Sequence, residues 1–189
     1  MVCNGNIYEA AYTKIIKSAF IKQNQLLFQD GILGEDTEWM IRVYRRDPRI
    51  CFCDANLYMY RLGREGAITN TISRKNIDDL ITVINQSGDY YKKKENQKEI
   101  FKIEELGHCA TLWFIALSMV PEITEYQVRC ELETSLKNIN WVTSYRLSKK
   151  AKISYIANKI LGIHLNGKLL HFYSKYLRIK LNTVRLNLS

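Results

Sequence analysis

The strongest constraint on the fold lies in the second half of the chain, where one helical pattern follows another from residue 73 onward and no strand pattern interrupts them. Ile77, Leu80, Ile81 and Ile84 recur at i, i+3, i+4, i+7, the stripe of a helix with one buried face, and Ser73 stands where an N-cap belongs. After the polar link from Lys92 to Lys98, a long apolar helix is predicted from Glu99 to Val120, stopped by Pro121. Further helices are expected over 122–136, 144–161 and 167–181. The apolar run Cys109 to Val120 contains Thr111 and Ser118 and falls short of the roughly 18 residues a bilayer span needs, so a buried helix is expected there.

The first seventy residues read differently. A helix is predicted from Ile7 to Phe20, with Ala10, Ala11, Ile15, Ala19 and Phe20 near helical spacing, and another from Glu35 to Arg46 with Trp39, Met40 and Val43 inward. Acidic residues open that second helix, Arg42, Arg45 and Arg46 close it in accord with the helix dipole, and Asp47-Pro48 ends it. Arg49 to Asp54 and Leu57 to Tyr60 have the length and bounds of two short strands, followed by a loop punctuated by Gly63 and Gly66. The expected class is α+β and mostly helical, with a mixed region over 1–72 and an all-helical extension over 73–189.

Charge separates the same chain in another way. The net charge is +9, yet no Asp or Glu follows Glu133, whereas eleven Lys and Arg do. The first 133 residues hold the remaining 17 basic side chains against all 19 acidic ones, so the basic object is the tail, 134–189. Within it Leu169, Leu170, Phe172, Tyr173, Tyr176 and Leu177 form an apolar stripe among Lys168, Lys175, Arg178 and Lys180. That pattern fits an anionic membrane surface, and equally a helix packed on its own protein with a solvated basic face. No nucleic-acid reader motif accompanies it, so no nucleic-acid partner is expected. Five cysteines without paired spacing, and a polar N-terminus, point to reduced thiols in the cytoplasm, peripheral to the membrane if the tail binds it. Cys51 and Cys53 read as small core fillers on one strand face. His108 and Cys109 are adjacent on a helix and point apart, which disfavours metal binding, and His164 and His171 are seven apart in the tail.

Glu35 and Asp36 form an acidic pair at a helix start, between the turn glycines Gly31 and Gly34 and the aromatic Trp39. Taken alone, such a pair caps a helix and meets its dipole. A carboxylate at a loop-to-helix junction beside an aromatic face also suits a sugar, whose hydroxyl gives up a proton while its C–H bonds stack.

Tyr12 to Lys17, Phe20-Ile21, Leu27 to Gly31 and Gly34 to Trp39 together resemble the acceptor half of family 2, GT-A-fold glycosyltransferases, in which a lysine-bearing helix leads into an F-x-x-G-x-x-x-E-D-x-x-W/F segment. Tyr60-Arg61 to Thr69 resembles the Y-R-x-x-x-x-x-S-I-T loop of that family, with Ala67 in place of the usual Ser. The likeness covers residues 8 to 72 in order. It implies a partial GT-A acceptor subdomain of short strands and helices, and an inverting sugar transfer of the surface-polysaccharide type. Asp36 would be the base that deprotonates the acceptor and Glu35 its neighbour. Trp39, Arg61, Arg64 and Thr69 would bind substrate, with Arg61 or Arg64 facing the departing diphosphate; both arginines also read as solvated loop charges. The implied partners are a nucleotide sugar and a glycan or lipid-linked acceptor. The implied cofactor is a divalent metal, Mg or Mn, in a complete enzyme.

The donor-binding βαβ segments and D-x-D motif of that family would lie about a hundred residues before Asp36, where this chain supplies 35 residues. The only comparable trace, Asp78-Asp79, falls in a helical pattern and reads as a charge cluster at a helix start. The expectation is a fragment, a split product or a truncated frame that is inactive alone. The rival expectation is a non-catalytic, basic helical module that binds a membrane surface or a protein partner.

Overall fold

The computed structural model describes residues 10–55, 58–59, 71–93, 99–147 and 149–186. The chain forms two compact units, Met1–Thr71 and Ile72–Ser189.

In the first unit a 3-10 turn, Ala11–Thr13, precedes the short helix α1, Ser18–Gln23, and then α2, Glu35–Tyr44. The continuous helix expected over 7–20 does not form. Lys14 is extended (φ −132°, ψ 143°), and so is Lys17, which begins α1 at ψ 127°. β-Branched Thr13, Ile15 and Ile16 pay more to enter a helix, and an extended path lets Ile15 and Ile16 point opposite ways. Ile15 is accordingly 92% exposed, whereas Ile16 packs with Ala11, Phe20 and Ile21 against the small core of Leu26, Trp39, Met40 and Val43.

α2 presents the face its spacing predicts. Trp39, Met40 and Val43 are buried, and Gly34 supplies a left-handed N-cap at φ 79°. The helix ends at Tyr44 rather than Arg46; Arg46 and Asp47 donate N–H bonds to Val43 and Tyr44, and Asp47 adopts φ 49° before Pro48.

The α+β expectation is overturned, because no β-strand is present among the described residues. Residues 49–54 and 58–59 are irregular, and 49–54 make no backbone hydrogen bond to another segment among the described residues. A strand needs a ladder partner for its N–H and C=O groups, and a suitable apolar pattern does not supply one. Cys51 and Cys53 are exposed thiols, not the core fillers a strand would have made of them. The GT-A acceptor subdomain of short strands and helices is therefore not seen among the described residues.

The second unit is all-helical among its described residues: α3 Arg74–Lys93, α4 Glu99–Met119, α5 Tyr126–Asn138 and α6 Lys149–Leu186, with 3-10 turns at Val120–Glu122 and Asn140–Tyr145. α3 opens where Ser73 predicts, with Asn76 reaching back to accept from the Ser73 N–H and hydroxyl at 2.8 and 2.7 Å. α4 is the central element, packed by α3, α6 and the 140–145 turn, and it buries Leu106, Cys109, Leu112, Trp113, Ala116 and Leu117. By length and composition the span Glu99–Glu122 would cross a membrane, but 61% of its apolar window is buried inside this unit. The helices expected over 144–161 and 167–181 appear as two arms of α6 on either side of Gly162, whose φ 75° and ψ 171° break the helix. The first arm begins at Lys149 because 140–145 is wound as a 3-10 turn. Gly167 brings the second arm close to α4, since a Cβ there would meet Leu117 Cδ1 at 3.2 Å.

Candidate functional site

Each expected site residue that the structure describes lies on α2 of the first unit. Glu35 and Asp36 occupy its first turn, where the unpaired N–H groups favour carboxylates. Glu35 is exposed. Asp36 is half-buried, and its Oδ2 accepts the Ala11 N–H at 3.2 Å, tying the 3-10 turn to the start of α2. That bond fixes one carboxylate oxygen.

Tyr12 stacks on Tyr58 with ring centroids 4.6 Å apart and planes 26° from parallel, and both rings are substantially exposed. This pair was not legible in the sequence. Its members are far apart along the chain, and neither belongs to a periodic pattern.

Trp39 faces inward, as its helical spacing predicts. It is 7% exposed, and its Nε1–H donates to the Leu26 carbonyl at 3.0 Å. Phe28 stacks on it, centroids 4.7 Å apart, and offers the outer aromatic face instead. Arg42 holds the same loop. Its guanidinium grips the buried Glu38 through two bonds, 2.6 and 2.8 Å, and donates to the Leu27 carbonyl at 2.6 Å. The i, i+4 spacing of Glu38 and Arg42 was the available signal for this pair. Two side chains of α2 thus clamp residues 26–28, with Phe28 at their edge.

Arg61, Arg64 and Thr69 lie outside the described residues. Asp78 and Asp79 belong to α3, where they pair with Arg74 and Lys75, as a charge cluster at a helix start should. Among the described residues no group of three or more His, Cys, Asp or Glu side chains converges to hold a metal. The divalent ion that the resemblance implies belongs to a complete enzyme, with no ligand set expected in this chain.

The second unit contains a separate cavity of about 390 Å³, walled in part by Lys137, Trp141, Tyr155, Asn158 and Lys159. Asn158 Oδ1 is buried without a hydrogen-bond partner, and Tyr155 is covered by the Arg146 guanidinium at 4.0 Å.

No family model, curated protein or solved structure matches this chain.

Proposed function

We propose that this chain carries the acceptor-side, base-bearing portion of an inverting glycosyltransferase. The reaction moves a sugar from a nucleotide sugar to a glycan or lipid-linked acceptor, and it requires a donor-binding portion acting together with this chain. The observation that supports the reading is the setting of Asp36. A half-buried carboxylate at a helix start is steadied by the Ala11 N–H, and the residue after Ala11, Tyr12, belongs to an exposed, stacked tyrosine pair. An ionised carboxylate takes the proton of an acceptor hydroxyl as the oxygen attacks the anomeric carbon. The bond from that carbon to the diphosphate oxygen breaks, and the diphosphate leaves with the electron pair. Aromatic faces suit the C–H faces of the acceptor.

The surface of the first unit supports the need for further protein. Among the described residues Ile15, Leu27, Phe52 and Met59 are 74–95% exposed, around a small core cluster of Leu26, Trp39, Met40 and Val43. An apolar surface of this kind is characteristic of a unit that packs against more polypeptide.

The test is transfer by the complete reading frame with a panel of nucleotide sugars and lipid-linked acceptors. Asp36→Asn is expected to lower kcat by about 10²–10⁴-fold, the usual worth of a general base, with helicity unchanged. Retained transfer by that variant overturns the assignment, and so does the absence of transfer by the wild-type frame with every donor.

A further inference from the structure

α6 packs one side onto its unit and leaves another side apolar and uncovered. In the second arm Ile163, Asn166 and Gly167 are buried. Leu165, Leu169, Phe172, Tyr173 and Tyr176 are 48–68% exposed. At 3.6 residues per turn these five fall within an arc of roughly 100°, turned away from the buried residues. Lys168 and Lys175, both exposed, lie along one edge of that arc. The first arm repeats the arrangement, with Ile153, Ile156 and Ile160 56–76% exposed and Lys149, Lys152 and Lys159 beside them. A self-packed helix with a solvated basic face would place polar residues where these apolar ones stand.

We infer that the exposed face of α6 is a docking surface for an anionic lipid bilayer, with the Ile, Leu and Phe side chains entering the interface and the flanking lysines meeting acidic headgroups. Charge complementarity selects this occupant. No acidic residue follows Glu133, so two copies of the face would bring like charges together, whereas an anionic surface attracts the lysine-bearing edge. Tyrosine and lysine at the border of an apolar arc are the side chains that settle at headgroup depth. The inference does not depend on the role of Asp36.

The experiment is flotation of the full chain with vesicles of phosphatidylcholine alone or with about one third phosphatidylserine. Removing the tail would also remove a wall of the α4 core, so point variants on exposed positions are used. Binding is expected on the anionic vesicles, weakened at least tenfold on neutral ones and in 0.5 M salt, as a cluster of lysines near the surface requires. Leu165→Ser/Leu169→Ser/Phe172→Ser is expected to lower binding by tenfold or more with an unchanged Tm, and Lys168→Glu/Lys175→Glu to do the same. No binding to anionic vesicles overturns the inference. Anionic binding that the serine variant leaves intact also overturns it, as purely electrostatic adsorption. Concentration-dependent dimerisation that the same variant abolishes reassigns the face to a second copy.

Discussion

Each unit buries one tryptophan whose indole N–H donates to a backbone carbonyl, Trp39 to Leu26 at 3.0 Å and Trp113 to Leu136 at 2.9 Å. Their surroundings differ. Trp113 is fully enclosed in a core built by α4 with its neighbouring helices, although Ile100, Ile115, Tyr126, Trp141 and Leu147 of that unit are exposed outside α6. Trp39 sits in a core of four buried residues, stacked on a Phe28 that is 47% exposed. The difference separates two ways of using apolar sequence. The second unit closes on itself and leaves one ordered face over, on α6. Among its described residues the first has a small core and leaves several large apolar side chains outside, which suits a unit completed by other protein.

The largest expected effect tests that contrast directly. Trp113→Ala removes an enclosed indole and orphans the Leu136 carbonyl, so it should cost about 3–5 kcal/mol and unfold the second unit cooperatively in a urea titration. Trp39→Ala removes the same chemistry from a thinner core. It should destabilise only the first unit, with a smaller urea m-value because less surface is exposed on unfolding. Equal m-values for the two transitions would break the comparison.

The next effect concerns how the first unit compensates for its small core. Glu38 is buried, and Arg42 is its ion-pair partner while also holding the Leu27 carbonyl. Arg42→Ala strands a buried carboxylate and releases the 26–28 loop. The expected cost is about 2–3 kcal/mol, below the full figure for a buried pair because the guanidinium is partly solvated. Arg42→Met, which keeps the stem but not the charge, should recover little. Stability close to wild type in both variants would mean that packing of Trp39 alone holds the loop.

Legibility followed the same division. Periodicity located α2 and α3 closely, because each has one apolar face, and α4 was marked by its apolar length; Ser73 and Pro121 gave clear end signals. Two kinds of feature escaped it. Local competition at Lys14 to Lys17 split the expected first helix, since β-branched Ile15 and Ile16 favour an extended path that turns Ile16 toward the core and Ile15 outward. The expected strand over 49–54 failed because an apolar run cannot announce whether a ladder partner exists. At the site, the positions of Glu35 and Asp36 at a helix start were legible from the glycines and acids around them. The Tyr12–Tyr58 stack was not, because it depends on a contact between segments distant in sequence.

The smallest effect probes the order of the α6 face. The gap left between the expected helices over 144–161 and 167–181 coincides with Gly162, at φ 75° and ψ 171°, a conformation nearly confined to glycine. No atom lies within 4 Å of a Cβ built there, so Gly162→Ala is strained by its backbone alone. It should cost about 1–2 kcal/mol if the break is needed to seat the second arm against Leu117 of α4. A straightened helix would instead gain the propensity of alanine over glycine, about 1 kcal/mol, and carry the second arm off the core. The two cases part in a thermal melt read together with hydrogen exchange at residues 163–177. A lower Tm with protection kept means the break serves packing, and the exposed stripe is then a fixed product of the fold. A raised Tm with protection lost in the second arm means the arm is separable, and the contrast between a closed second unit and an open first one no longer holds.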